Sequence, residues 1–228
     1  MKTLFFVVFL LLTGTSYAES FNDALNRIES EWASVYYNTP KAQQAAAYAQ
    51  LLNKSIVLAN QHPNAAEPLF WQALIKASYA AHLDAFSALN AIKESRELLT
   101  NVIAINPTAM NGSAHVTLGT LYYMAPKWPI AFGDDEEAQK LLEAALAINP
   151  NGIDCNYFYG EFLLQHNNLK AASQYFERAI AAPTRKEQAF ADNQLKIEAK
   201  LALQNTKERK IGGEKNIFLS LFNSAEAE

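Results

Sequence analysis

Side chains able to do chemistry are few in this sequence, and they are scattered. Four histidines, His62, His82, His115 and His166, lie far apart. None pairs with a second His or a carboxylate at the H-E-x-x-H spacing that puts metal ligands on one helix face. Each reads as a polar surface or capping residue. The single cysteine, Cys155, precedes Phe158, Tyr159 and Phe162 by three, four and seven residues, so a helix would hold all four on one face. It reads as a buried inert thiol, because a reactive one needs an exposed electropositive niche. The run Asp134-Asp135-Glu136-Glu137 has the composition of a cation site, but also that of a capped helix start, where negative groups favour the dipole. The cap is the better reading, since acidic residues concentrate in first turns. No Gly-rich phosphate loop, G-x-S-x-G turn or nucleotide fingerprint occurs. A non-enzymatic protein without catalytic residues, metal or cofactor is expected.

Composition narrows the class further. The 228 residues carry 19 Lys+Arg against 23 Asp+Glu, a formal charge of −4 with pI about 5.6. Such a balance argues against nucleic-acid binding, which needs a basic face. One Cys excludes a disulfide scaffold and any multi-cysteine zinc or iron–sulfur site. Alanine is abundant at 38 residues and valine scarce at 6, a balance that favours helices over strands.

At the N-terminus, Met1-Lys2-Thr3 precedes an unbroken apolar run, Leu4 to Leu12, and then Ser16-Tyr17-Ala18. Small residues three and one before the cut fit a secretory signal cleaved after Ala18. A spanning helix would need roughly 20 apolar residues. Residues 1–18 are therefore expected to be removed, leaving an exported protein. No cysteine follows the apolar run to accept a lipid, so a periplasmic soluble protein rather than a lipoprotein is expected.

The elements that position the remaining residues form a repeat. Pro63, Pro107, Pro150 and Pro183 each close an apolar helical run, at intervals of 44, 43 and 33 residues. Proline just past a helix end is expected because it cannot continue the hydrogen-bond ladder. Two closures read nearly alike, Ala104-Ile105-Asn106-Pro107 and Ala147-Ile148-Asn149-Pro150. A helix-like stretch follows each, with Gly119 in one and Gly160 in the other; mid-helix glycine costs about 1 kcal/mol against Ala and marks close approach of a neighbour. The order Gly160, Leu163, Ala172, Phe176, Ala179, Pro183 resembles the tetratricopeptide repeat, a helix–turn–helix unit of about 34 residues. Its fit is sharpest over 153–183, good over 111–150 and weaker over 67–107. Residues 20–62 read as a divergent first hairpin with arms Phe21–Tyr37 and Lys41–Asn60, and Leu195 to Leu203 as part of a closing helix. Since one hairpin cannot bury its apolar face alone, stacking is obligatory. An all-α, right-handed helical-hairpin solenoid over residues 19–205 is predicted, with 206–228 as a tail. That tail holds the apolar segment 217–222, free to pair with a neighbour, plug the groove or stay disordered.

Two sets of residues are candidates for binding. In such stacks the first helix of each pair lines the concave face; with Gly119 and Gly160 turned into the stack, Val116, Thr120, Tyr123, Tyr157, Glu161 and Leu164 would face the groove. Alternatively these aromatics pack on adjacent helices, as stripes at helical spacing usually do. The middle repeat also carries an insertion over 124–135, about seven residues beyond the standard unit. Its two prolines and glycine make it a loop, and Trp128, Ile130 and Phe132 make that loop unusually apolar. Its rings either cover the stack or bind a partner.

The block Trp128-Pro129-Ile130-Ala131-Phe132-Gly133-Asp134, then Ala145 to Pro150, then Tyr157 to Leu164, is similar to the T-component family of tripartite ATP-independent periplasmic (TRAP) transporters, clearest over 98–183. The resemblance implies a periplasmic accessory that docks an extracytoplasmic solute-binding protein, with a homotrimer and a small organic ligand among its implications. Family members of this kind are lipoproteins, which this chain's cysteine content does not match. A general envelope adaptor, holding peptides or proteins in its groove, is the alternative expectation.

Overall fold

In the computed structural model of the protein, residues 20–208 are described. They form nine α-helices joined by short loops: α1 (Phe21–Asn38), α2 (Lys41–Gln61), α3 (Ala66–Ala80), α4 (Ala85–Ile105), α5 (Ser113–Met124), α6 (Asp135–Ile148), α7 (Ile153–Gln165), α8 (Leu169–Ala181) and α9 (Ala189–Lys207). The expected signal and the apolar segment 217–222 lie outside these residues. Among the described residues no helix is long and apolar enough to cross a membrane.

Local chemistry explains the boundaries. Ser20, Asp84, Asp134 and Asn168 begin α1, α4, α6 and α8, and each side chain accepts from a first-turn backbone N–H, satisfying donors that the helix itself cannot pair. At the other ends the backbone N–H groups of Asn106 and Asn149 donate to Val102 and Ala145 carbonyls at 2.9 Å, and the following prolines bar another turn. Asp134 accepts from Glu136 and Glu137, so the acidic run caps α6, as read from the sequence.

Pairs α1–α2, α3–α4, α5–α6 and α7–α8 are antiparallel hairpins stacked in order, and α9 packs on α8 and reaches back to α7 and α1. Small residues let the pairs close. A Cβ on Gly119 would lie 2.9 Å from Leu142 Cγ and 3.1 Å from the Ala138 carbonyl, and one on Gly160 would lie 2.7 Å from a Phe176 ring carbon. Ala172, Phe176 and Ala179 are fully buried around that crossing. A continuous core runs from Ile28 in α1 to Phe162 in α7, and a second cluster around Phe176 joins α8 to α9. Buried polar groups are tied in as well: the Ser95 hydroxyl donates to the Ala73 carbonyl at 2.8 Å, and the Gln44 amide to the Val35 carbonyl at 3.0 Å.

The closing helix, α9, contains Leu195–Leu203, and Ala199, Ala202 and Thr206 lie on its packed face. One departure from the sequence reading has a clear cause. His115 is not a surface residue. It is buried within α5 with Nδ1 lacking a hydrogen-bond partner, and burial holds its pKa below the usual imidazole range. The crowding of α5 between α4, α6 and α7 leaves that helix no free face.

Candidate functional site

Helices α1, α3, α5 and α7 share one face, and α9 packs against α7 and α1 beside it. Between them is a cavity of about 120 Å³ lined by α1, α3, α5, α7, the turn 109–112 and α9. One wall is aromatic. In α1, Trp32 lies 5.1 Å from Tyr36 and 6.5 Å from Tyr37 between ring centroids, and Trp71 of α3 continues the wall 6.0 Å from Trp32. Trp32 is locked by its indole N–H, which donates to the Ser78 hydroxyl at 3.1 Å. Tyr37 meets Phe190 of α9 edge-on at 5.9 Å, a contact that joins the first helix to the last.

The turn that contributes Met110 to the cavity lining is unusual. Met110 and Asn111 have φ of 51° and 53°, and Gly112 has φ of 90°. Left-handed backbone costs a residue with a Cβ roughly 1–2 kcal/mol, a cost Gly112 avoids. The strained Met110 is itself a lining residue, and such strain tends to collect where a chain is shaped for binding.

Charge in the cavity is unbalanced. Glu29, Asp154, Asp192 and Glu198 line it, against the single cation Arg185. Arg185 is committed to buried Asp192 through Nε, Nη2 and its backbone N–H, and its charge also reaches Asp154 and Glu29. Burial pushes the Glu29 carboxyl up to about 7 against the opposing hydrogen bond from Gln188 and the charge of Arg185. Glu198 is likewise pushed up to about 7, by burial and then by the neighbouring carboxylate Glu161. Burial also raises the phenols of Tyr36 and Tyr37, which stay neutral. The arrangement is a partly open, aromatic-walled pocket with more carboxylates than cations in its lining.

The eight residues singled out in the sequence are not brought together. Val116 and Thr120 line the cavity. Tyr123 packs edge-on against Phe162 at 5.7 Å, and Tyr157 against Phe158 at 5.0 Å; both are buried. Glu161 is buried on α7, and Leu164 packs against the α8–α9 cluster. On α7 the lining residues are instead Asp154 and Phe158, one step round the helix from the expected register. The insertion divides. Phe132 turns inward, 5.3 Å from the Tyr122 ring, with the Arg96 guanidinium 4.5 Å over its face. Trp128 and Ile130 point out, 85% and 62% exposed. The base of this loop is closed by Gly133 N–H to the Pro126 carbonyl and Asp134 N–H to the Tyr122 carbonyl, both 2.9 Å, and Lys127 pairs with Asp135 at 2.6 Å.

Sequence reasoning missed the contributions of α1, α3 and α9. A signal was present: Glu29, Trp32 and Tyr36 are spaced i, i+3, i+7 and share one helix face, so a carboxylate sits inside an aromatic stripe. Cys155 is buried and its thiol is pushed up by burial. Among the described residues no group of three or more His, Cys, Asp or Glu is placed to hold a metal ion.

Comparison with known proteins agrees with this architecture. Residues 130–191 match the tetratricopeptide repeat family model. No curated protein matches the chain in sequence. A crystal structure of a thermophilic TPR protein from Thermus thermophilus is similar at a TM-score of 0.53 and 18% identity, covering 81% of this chain and 91% of that one. The described residues form an all-α helical solenoid like that of tetratricopeptide-repeat proteins.

Proposed function

We propose that this protein is an exported, non-enzymatic interaction protein that docks an extracytoplasmic solute-binding protein as a T-component-like accessory of a TRAP-type transporter. What carries this reading is the Trp128–Ile130 tip. It is an outward apolar surface on a loop whose base is pinned by hydrogen bonds, on a rigid stack of hairpins. Rigid presentation of an exposed indole is how interfaces place their dominant contacts. The concave face is a poorer docking site, since α9 already occupies it and the remaining space of about 120 Å³ is too small for a peptide segment.

The test is capture from an envelope extract with Trp128→Ala as the matched control. Recovery of a solute-binding protein, weakened at least about thirtyfold by the substitution, agrees with loss of a contact worth about 2 kcal/mol. Recovery of unrelated envelope proteins would favour the general adaptor. Capture that is indifferent to Trp128 would remove the loop from the interface. Light scattering on the purified protein separates the homotrimer implied by the T-component resemblance from a monomer.

A further inference from the structure

Helix α9 carries an apolar stripe that the stack does not cover. Elsewhere among the described residues, the loop 124–135 apart, exposed large apolar side chains stand singly. Val57 does so on α2, and Phe86 and Ile105 do so at opposite ends of α4. Single ones are ordinary on a protein surface. On α9 they are grouped: Ile197 and Leu201 are half exposed and Phe190 nearly so. Spaced seven and four residues apart, the three fall on one face of the helix. At about 100° per residue, that face lies opposite Ala199 and Thr206, which are buried on the packed side. The terminal element of a repeat stack needs a polar outer face, since no further unit stacks beyond it. The outer face of α9 is apolar instead, and it calls for a cover.

We propose that the chain's own segment 217–222 covers this stripe, folding back along α9 to complete a fifth hairpin. Ile217-Phe218-Leu219-Ser220-Leu221-Phe222 is the apolar run that follows α9 in the sequence. Ile217 and Leu221 are four residues apart, as are Phe218 and Phe222, so a helix puts all four on one side, with Asn216 placed to cap it. The reach fits. Nine residues, 208–216, separate the segment from Lys207, and they can span up to about 30 Å. Leu201 and Ile197 lie only about 9 Å and about 15 Å back from Lys207 along the helix axis, at about 1.5 Å per residue. Gly212-Gly213 in that connection accommodates the reversal, since glycine tolerates backbone that other residues avoid. So short a tether holds the segment at a millimolar effective concentration. At micromolar protein it therefore outcompetes the same segment of a second copy. The contact depends on the purified chain alone, so its failure and the failure of transporter docking through Trp128 are separate results.

Cross-linking tests this. Leu201→Cys and Leu221→Cys are combined in one chain, and the dilute purified protein is treated with a short bismaleimide; Cys155 is buried and does not compete. A cross-link within one chain is expected, identified from its peptide masses. Adding Phe218→Asp and Phe222→Asp keeps the tether but should slow the cross-link about tenfold or more, the factor for losing burial of at least one large apolar side chain. In the chain without added cysteines, Leu201→Asp should speed tryptic cleavage after Lys215 by a similar factor. Helix content by circular dichroism should not change, because Leu201 faces away from the stack. A cross-link between chains would give the stripe to a second copy and overturn the assignment. Absence of any cross-link, a rate indifferent to the aspartates, or tryptic cleavage indifferent to Leu201→Asp would overturn it too.

Discussion

Replacing Glu29 by Gln should stabilise the protein at alkaline pH and leave it unchanged in acid. Glu29 is 7% exposed, and its pKa is pushed from 4.5 to about 7 by burial, against the hydrogen bond from Gln188 and the charge of Arg185, with Asp192 and Glu187 adding repulsion. Its folded-state pKa thus lies above its unfolded one. Below pH 4.5 both states carry the proton and the group's contribution is complete. Between there and about 7 the unfolded chain releases the proton first, so stability falls as pH rises and is lost once the folded pKa is passed. At about 1.36 kcal/mol per unit, the full window amounts to about 3 kcal/mol. Glutamine keeps the acceptor for Gln188 and has no charge to desolvate. Urea unfolding of the wild type and Glu29→Gln at several pH values on both sides of the window measures this directly. The two curves should coincide in acid and separate by about 3 kcal/mol in base. A variant less stable in base than the wild type would refute the reasoning, because it would show the ionised carboxylate to be stabilising.

Other consequences can be measured together. Gly160→Ala should destabilise by about 1–3 kcal/mol despite its better helix propensity, since the new methyl meets the buried Phe176 ring; Phe176→Leu in the same chain should recover part of the loss in thermal melts. Asp192→Ala should cost about 3 kcal/mol and loosen α9, since it strips the Arg185 guanidinium and backbone N–H of a buried acceptor; hydrogen exchange should rise across α9 more than across α3. Gly133→Ala should disrupt the 125–134 loop, because its Cβ would fall 2.1 Å from the Ala125 carbonyl; partner capture should drop with Trp128 still present. The Cys155 thiol, buried with its pKa raised, should react with a thiol reagent only as fast as the protein unfolds.

Several parts of this molecule are legible residue by residue. The expected arms Phe21–Tyr37 and Lys41–Asn60 lie within a residue of α1 and α2, because Ser20, Pro40 and His62 punctuate them locally. Gly119 and Gly160 identify the close crossings for the same reason, as a missing side chain mid-helix has a neighbour as its cause. The groove register on α7 is a different matter. Tyr157 and Phe158 are adjacent and equally apolar, so periodicity alone cannot decide which one packs on Phe176 and which one lines the cavity.

By itself, then, the sequence determined the helical class, the hairpin repeat and the ends of most helices, because caps, prolines and alanine content act within one or two turns of chain. Only the tertiary structure decided the cavity. It exists because α9 folds back over α1 and α7, bringing Glu29 and Trp32 alongside Arg185, Asp192 and Glu198. A carboxylate that is ordinary in water becomes one with a pKa of about 7 only when that closure removes its solvent. Desolvation is a property of everything that surrounds a group, and no local pattern of residues encodes it.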